Sequence, residues 1–455
     1  MNVTGLEMLS ATEARARLVA GTLTSEALVS ACLARIASRD SEVAAWAYLD
    51  AEVALKAARA VDLARASGAT QGRLAGIPVG VKDIIDTADM PTEYGSAVFA
   101  GRNPDSDASV VAALRSEGAI LLGKTVTTEL AFFGPGKTKN PRDGGRTPGG
   151  SSSGSAAAVA DWQVPIALGT QTAGSIIRPA SYCGAIGYKP TFGFASRTGV
   201  LAQSPPLDTI GGYARTVEDI ALLMDAINGY DLADRDMTSG QRSSLVAALN
   251  MAVARPPRFA FVKSPSWPQA DAGTRSAIEA FASSIGGGAE VVETPLPPEF
   301  EGSLRLQQIV QFSDIARNYG PIADANPDRI SAKLREIITE GRTFSNADYA
   351  AARAEREPLY DTLRPILVNY DAILTPAAPG PALRGLESTG SPMFNALWTY
   401  LGMPCISLPL LEVGGLPLGV QLTGARGGDA GVLRAAHWLI TRAKAFAGAT
   451  IVTPA

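Results

Sequence analysis

Residues 144–175 of the chain read GGRTPGGSSSGSAAAVADWQVPIALGTQTAGS. The stretch opens with glycines and serines, continues through an alanine-rich segment and closes on a second turn of small residues. Glycine is used where the backbone needs a positive φ angle or must approach another group closely. A lone GGSSSGS is typical of a linker, but this one runs directly into AAAVA, whose helical N-terminus it would cap. Two such turns, each presenting serine, indicate a built site rather than a connector.

The second turn follows residues 164–168, an apolar segment that predicts a buried strand. Ser175 then lies near the carboxyl end of that strand, where α/β sheets place their ligands. Consecutive backbone N–H groups in such a turn can point at one oxyanion. Cys183 is the competing nucleophile, but its apolar neighbours favour a buried structural cysteine.

Composition limits the classes of protein that need to be considered. The chain has 455 residues, of which 46% are hydrophobic and 18% charged, and a net charge of −4. This profile is that of a globular protein with a large core, and it gives no electrostatic reason to expect nucleic acid or an acidic membrane. Cys32, Cys183 and Cys405 are far apart and odd in number, so no disulfide framework is implied. The sequence shows neither a signal peptide nor a membrane span, and we expect a cytoplasmic protein.

The chain contains a single histidine, His437. A Ser-His-Asp triad would need it as the base, yet VLRAAHWLITRA around it predicts an amphipathic helix with an ordinary packed histidine. Zinc sites built on several histidines are excluded, C-x-x-C clusters are absent, and we expect no metal and no cofactor. A hydrolase with this composition would therefore use a base other than imidazole.

Strand and helix patterns alternate along the chain and predict an α/β architecture with at least part of its sheet parallel. Ser10 and Glu13 fit a capping box, and Thr24 or Ser25 could cap a second helix. The remaining predicted helices lie at 51–66, 108–116, 156–160 and 216–228, with another starting near Thr127. The remaining predicted strands lie at 77–82, 119–122, 259–262, 372–376, 404–410 and 418–422.

Lys82 lies on the strand face opposite Val79 and Val81 and precedes two acidic residues. It is either the partner of an ion pair at a strand end or a lysine in an apolar setting. In the second case desolvation lowers its pKa, and the neutral amine acts as a base. The absence of a usable histidine favours the base.

The segment GAILLGKT at 118–125 matches the phosphate-loop pattern. A phosphate loop needs free backbone N–H groups between its glycines, whereas AILL is itself a predicted strand. We therefore interpret Lys124 as an ordinary residue at the end of a strand.

Taken together, these motifs resemble the amidase signature family of serine hydrolases. The agreement is dense over residues 73–230, looser from residue 370 onward, and slight over residues 231–365. The matching segments are GIPVGVKDIIDT from Gly76, TEYGS from Thr92, GKTVTTELAF from Gly123, PGGSSSGSAAAVA from Pro148, GTQTAGSIIRPASYCGAIGYKPTFG from Gly169, LDTIGGYARTVEDIALLMDAI from Leu207, TPAAPGPA from Thr375, FNALWTYLGMP from Phe394 and GLPLGVQLTG from Gly415.

The resemblance assigns roles to the residues that match the family pattern. Lys82 corresponds to the base, Ser151 to a bridging serine preceded by a cis peptide bond, and Ser175 to the nucleophile. The N–H groups of Thr172, Ala173, Gly174 and Ser175 correspond to the oxyanion hole. Relative to the usual pattern, Ser153 and Ala173 each replace a glycine, and Ala173 requires a backbone conformation that alanine can adopt.

Substrate contacts are less defined by the resemblance. Arg178, three residues past the nucleophile as in malonamidase-like enzymes, either faces a substrate carboxylate or pins the turn. Asn395, Trp398 and the loop at 130–142 are candidates to line the pocket.

The resemblance implies one α/β amidase-signature domain over 1–455, with a mixed central sheet covered by helices. Within it we expect N-terminal helices at 1–67, a catalytic core at 68–230, a variable helical region at 231–365 and a second part of the core at 366–455. The implied function is hydrolysis of a small carboxamide to a carboxylate and ammonia or an amine through an acyl-enzyme. The alternative is the ammonia-generating component of a tRNA-dependent amidotransferase complex. The expected partner is a small-molecule amide, with no nucleic acid and no membrane. Dimers are frequent in the family, which leaves a homodimer open.

Overall fold

The computed structural model describes residues 5–237, 243–251 and 255–446 of the chain. These residues form eleven strands, labelled in chain order: β1 (Trp46–Leu49), β2 (Pro78–Lys82), β3 (Ile120–Thr125), β4 (Ile166–Gln171), β5 (Ile186–Lys189), β6 (Thr209–Ala214), β7 (Arg258–Phe261), β8 (Glu290–Glu293), β9 (Ala372–Pro376), β10 (Cys405–Val413) and β11 (Leu416–Thr423).

Sixteen α-helices lie in the same described ranges. They are α1 (Ala11–Val19), α2 (Ser25–Val43), α3 (Ala51–Ala66), α4 (Ser109–Ser116), α5 (Ser153–Ala160), α6 (Ile177–Cys183), α7 (Val217–Ile227), α8 (Leu245–Leu249), α9 (Ala272–Ser284), α10 (Ser303–Ala325), α11 (Ala332–Gly341), α12 (Asn346–Ala354), α13 (Arg356–Thr362), α14 (Arg364–Asn369), α15 (Met393–Tyr400) and α16 (Asp429–Arg442).

All of the strands form one sheet, in the order β1-β3-β2-β4-β6-β5-β10-β11-β9-β7-β8. Strands β3, β2 and β4 are parallel neighbours, as are β9, β7 and β8. The strands between these two groups pair antiparallel, and β1 pairs antiparallel with β3 at one edge. The predicted mixed sheet within a single α/β domain is confirmed.

Apolar side chains cover both faces of the sheet. Along β2, Val79 and Val81 belong to one buried cluster, whereas the other face of the same strands meets a second cluster that contains most of α5. Because successive side chains of a strand point to opposite faces, Lys82 is on the α5 face, opposite Val79 and Val81. The core therefore buries this lysine completely.

Several local predictions are confirmed by the described residues. The capping box at Ser10 and Glu13 forms, the Thr24 side chain caps α2, and the predicted helix at 51–66 corresponds to α3. The segment AILL lies within β3, where its backbone is part of the sheet, so no phosphate loop forms there. The region 231–365, expected to be helical, also contributes strands β7 and β8 at one edge of the sheet.

The helix predicted from Thr127 is absent from the described chain. A single 3₁₀ turn at Glu129–Ala131 takes its place, and Leu130 and Ala131 have φ angles of 46° and 58°. Left-handed backbone at two consecutive residues that carry a Cβ costs free energy and cannot continue into an α-helix. The turn is held by its surroundings, since Leu130 N donates to the carbonyl of Tyr94 and Gln203 Nε2 donates to the carbonyl of Ala131.

Candidate active site

Three neighbouring pieces of backbone bring the predicted residues together. Lys82 ends β2, Ser151 precedes α5, and Ser175 lies in the turn between β4 and α6. Strands β2 and β4 are parallel and in register from Val79 opposite Ile166 to Val81 opposite Leu168. The carboxyl ends of both strands therefore meet at one edge of the sheet, next to the N-terminus of α5.

Helix α5 approaches the sheet closely because its residues are small. A Cβ on Gly154 would lie 2.2 Å from the carbonyl oxygen of Ala45 and 2.4 Å from the backbone nitrogen of Val126. Two serine hydroxyls bind the helix to β4: Ser155 Oγ donates to the carbonyl of Leu168, and Ser152 Oγ bonds the backbone of Thr170. The serine-rich stretch is thus a structural attachment that positions Ser151.

Lys82 and Ser151 are in direct contact. Lys82 Nζ lies 2.7 Å from Ser151 Oγ and 2.7 Å from Thr170 Oγ1. In the described part of the chain it forms no ion pair; Asp86, one of the acidic residues after it, pairs with Arg102 instead. The peptide bond between Gly150 and Ser151 is cis.

Burial lowers the pKa of Lys82 well below its usual range, and the negative charge of Asp208 opposes part of this effect. Desolvation disfavours the ammonium form. Of the two interpretations that the sequence allowed for Lys82, the surroundings are those of the neutral amine rather than of an ion pair.

Ser175 is partly exposed, whereas Ser151 is buried. Its backbone carbonyl accepts from Tyr213 Oη at 3.1 Å, which fixes the residue, while its hydroxyl has no hydrogen-bond partner among the described residues and is free to rotate. Ser151 and Ser175 line the same inner pocket, a cavity of about 10 Å³. Catalytic hydrogen bonds commonly tighten only once a substrate is bound.

The turn before α6 carries unused hydrogen-bond donors. No hydrogen bond within the described ranges satisfies the backbone N–H groups of Ala173, Gly174 or Ser175. Ala173 has no positive φ angle, so alanine adopts the backbone that this position needs. A side chain at Gly174 would collide with Asn395 Oδ1, which keeps this position open. The three N–H groups are available to stabilise an anion next to Ser175.

Arg178 pins the turn and also faces the inner pocket. Its Nε donates to the carbonyl of Thr389 and its Nη2 to the carbonyl of Gly150, whereas its buried Nη1 has no partner. Burial lowers the pKa of Arg178 to about 10, so the guanidinium remains charged at neutral pH. The residue lines the pocket together with Ser175.

The other candidate substrate contacts divide between pocket and core. Within the loop at 130–142, Ala131, Phe132 and Phe133 line the inner pocket. Asn395 is buried with its Nδ2 on the carbonyl of Ala377, and its Oδ1 is unpaired. Trp398 belongs to the hydrophobic core.

Cys183 and His437 are separate from these groups. Burial raises the pKa of the Cys183 thiol far above its ordinary value, which disfavours a thiolate nucleophile. His437 Nε2 lies 3.0 Å from Glu218 Oε1 on the neighbouring helix. Among the described residues no group of three or more histidine, cysteine or acidic side chains could hold a metal ion.

Two residues of the site were missed by the sequence reasoning. Thr170 contacts Lys82 because β4 lies beside β2, a pairing that no local pattern indicates. Asp208 accepts hydrogen bonds from Thr172 Oγ1 and from the backbone of Gln203 and Ser204, and desolvation raises its pKa to about 6. Its place in the LDT segment that matched the family pattern was the one available signal.

Comparison with known proteins agrees with this geometry. The family model described as "Amidase" matches residues 27–433, and the chain belongs to this family, the amidase signature family. It is 40% identical to the first of the lettered subunits of glutamyl-tRNA(Gln) amidotransferase from Acidothermus cellulolyticus (strain ATCC 43068 / DSM 8971 / 11B), over 91% of this chain and 90% of the relative.

Two solved structures are similar over almost the whole chain. Native peptide amidase from Stenotrophomonas maltophilia is 29% identical with a TM-score of 0.84, covering 98% of this chain and 99% of the other. A chain from a vestigial protein complex, studied for the evolutionary origins of an s-triazine catabolic enzyme, is 28% identical with a TM-score of 0.88, covering 98% of this chain and 100% of the other. Similarity to amidases and to amidotransferase subunits thus supports an enzyme acting on carbon–nitrogen amide bonds. In the described ranges no helix is long and apolar enough to cross a membrane.

Proposed function

We propose that the protein is an amidohydrolase that cleaves a carboxamide through an acyl-enzyme on Ser175, with Ser151 as proton relay and Lys82 as base. The observation that carries the proposal is the 2.7 Å contact between Lys82 Nζ and Ser151 Oγ in a site that buries the amine without an ion-pairing carboxylate. An amine held neutral in this way can accept a proton at neutral pH.

The reaction begins when the substrate carbonyl enters the inner pocket beside Ser175. Rotation of the Ser175 hydroxyl brings it to Ser151; Ser151 takes its proton and passes its own to Lys82. The Ser175 oxygen attacks the carbonyl carbon, and the resulting oxyanion receives hydrogen bonds from the N–H groups of residues 173–175.

Collapse of the tetrahedral intermediate breaks the carbon–nitrogen bond. The proton held on Lys82 returns through Ser151 to the leaving nitrogen, so ammonia or an amine departs as a neutral molecule. Water then attacks the acyl-enzyme, giving its proton to the same relay, and the carboxylate is released as Ser175 regains its hydrogen.

Three variants test this assignment. We expect Ser175→Ala to abolish ammonia release from carboxamides and covalent labelling by a fluorophosphonate. Lys82→Ala should lower kcat by several orders of magnitude, since it removes the only proposed base. Ser153→Ala is the matched control from the same stretch, because the Ser153 hydroxyl bonds only the carbonyl of Val126. Hydrolysis at the wild-type rate by purified Ser175→Ala or Lys82→Ala would refute the relay.

A second candidate function is the ammonia-supplying component of an amidotransferase that acts on misacylated tRNA. Amidotransferase subunits of this kind are 40% and 35% identical to this chain, and the same relay would release ammonia from an amide donor. The two functions differ in their need for partner chains. Ammonia release from simple amides by the purified chain alone would favour the amidohydrolase, whereas release only after partner proteins are added would favour the amidotransferase.

The charge on Arg178 sets a question about the substrate. Its unpaired Nη1 in the inner pocket can hold either a carboxylate or a neutral carbonyl oxygen of the acyl group. A panel of carboxamides with and without a free carboxylate, compared by kcat/KM, distinguishes these two kinds of substrate.

A further inference from the structure

One face of α10 forms a wall of an outer cavity of about 590 Å³. The residues of α10 that line it recur at helical spacing and therefore share a face; they are Leu304, Gln307, Gln308, Gln311 and Phe312. Phe133, Gln311 and Pro392 line both this cavity and the inner pocket that contains Ser175. An acyl group bound at Ser175 would thus extend outward along α10.

Three glutamine side chains form a continuous chain of hydrogen bonds along this path. Gln307 Nε2 donates to Gln311 Oε1 at 2.9 Å, and Gln311 Nε2 donates to Gln203 Oε1 at 2.7 Å. Gln203 Nε2 in turn donates to the backbone carbonyl of Ala131 at 2.8 Å. All three glutamines are buried, so these bonds are protected from competition by water.

The backbone carbonyl at one end fixes the direction of the whole chain. A carbonyl can only accept, so the amide nitrogen of Gln203 must face Ala131 and its oxygen must face Gln311. The same reasoning turns the oxygen of Gln311 toward Gln307. Gln307 Oε1 is left as the terminal acceptor, and in the described chain it has no hydrogen-bond partner although the side chain lines the cavity.

The outer cavity holds no other charged group away from its mouth. Lys333 and Glu387 line the cavity, and both are exposed at its rim. Its other lining side chains are neutral, and several of them are apolar. A buried acceptor among neutral groups favours an uncharged ligand that brings a hydrogen-bond donor.

We infer that Gln307 Oε1 accepts a hydrogen bond from an N–H group in the acyl part of the substrate, so the preferred substrates are peptidyl or N-acylaminoacyl amides. This inference rests on the proposed function, because it assigns the acyl group to the cavity that opens from Ser175. Gln307 lies one helical turn, about 6 Å, from Gln311. That distance corresponds to roughly two residues of an extended chain, so the N–H belongs to one of the first residues before the scissile amide.

Binding to an inactive protein tests the inference separately from catalysis. The ligands are N-acetyl-alanyl-phenylalaninamide and two analogues, each with one backbone N–H replaced by an ester oxygen. On the Ser175→Ala variant we expect one of the two replacements to raise Kd roughly three- to tenfold, the effect of one lost neutral hydrogen bond. Adding Gln307→Leu should remove that difference.

Gln308→Leu is the matched control, because Gln308 lines the same cavity from an exposed position outside the amide chain; it should leave the difference intact. Gln307→Met serves as a second variant that removes the amide from an unbranched side chain. Equal Kd values for the three ligands, absence of binding to any of them, or discrimination that survives in the folded Gln307 variants would overturn the inference. Ammonia release by the wild-type protein is measured in parallel: binding with discrimination but without turnover would refute the hydrolase and leave the Gln307 contact standing.

Discussion

Lys82 is a base whose charge state depends on two opposing effects. Burial lowers its pKa, and the carboxylate of Asp208 raises it again by a smaller amount. Hydrolysis by the proposed relay needs the neutral amine. We therefore expect kcat/KM to fall as the pH decreases through the lowered pKa of Lys82.

The charge of Asp208 should be visible in that pH profile. Asp208→Asn removes a negative charge that favours the ammonium, so the pKa of Lys82 falls and the acid limb of kcat/KM moves to lower pH. Asp234→Asn is the control, because Asp234 lines the same 200 Å³ cavity as Asp208 but pairs with Arg197. An acid limb that moves to higher pH in Asp208→Asn, or that moves equally in both variants, would contradict this account.

The sequence limits what can be known about individual residues. Lys82, Ser151 and Ser175 were found from their motifs, which carry small residues and hydroxyls at defined positions. Thr170, Asp208 and the glutamines at 203, 307 and 311 were not, because their importance comes from contacts across the fold, such as that between α10 and the segment around Gln203.

At the scale of elements, the close approach of α5 to the sheet is what positions Ser151. A methyl group at Gly154 would lie within 2.5 Å of two backbone atoms that cannot move aside easily. We expect Gly154→Ala to lower the free energy of unfolding by about 2 kcal/mol or more, through overpacking, and to slow ammonia release by displacing Ser151. Chemical denaturation and kinetics measure the two effects.

Gly431 in α16 provides the matched comparison. A Cβ there meets no atom within 4 Å, so Gly431→Ala should stabilise the protein by up to about 1 kcal/mol through helix propensity. A Gly154→Ala variant as stable as Gly431→Ala would show that α5 is not held as tightly as the structure indicates.

Elements with strong local signals were predicted well, and those set by their surroundings were not. Helix α3 and strand β9 begin and end where their patterns predicted. The left-handed backbone at Leu130 and Ala131 gives no such signal, because leucine and alanine favour a helix and only the contacts with Tyr94 and Gln203 impose the turn.

The whole molecule interleaves distant parts of the chain in one sheet. Strand β5, next to the site, pairs with β10 from the C-terminal part, and Tyr188 donates to Asp429 across 241 residues at 2.6 Å. At the other end Asp219 accepts from the backbone of Ala11 and Thr12. These contacts support the proposal of one domain rather than separable units.

A fragment of residues 1–230 tests that proposal. It contains Lys82, Ser151 and Ser175, yet it would expose the edge of β5 and the apolar surface that β10 and β11 cover. We expect the fragment to aggregate or remain unfolded and not to react with a fluorophosphonate, while the full chain is labelled at Ser175. Labelling of the isolated fragment at the rate of the full chain would show an independent catalytic domain.

The sequence by itself determined the α/β class, the family, and the nucleophile, relay and base that we propose. It could do so because small residues, hydroxyls and a strand-borne lysine mark a local backbone geometry within a few positions. Only the tertiary structure decided the order of the strands, the lysine's hydroxyl partners, the dual placement of Arg178 and the direction of the glutamine chain. Those features depend on which surfaces pack together, and burial, desolvation and hydrogen-bond polarity are set by contacts between residues far apart in the chain.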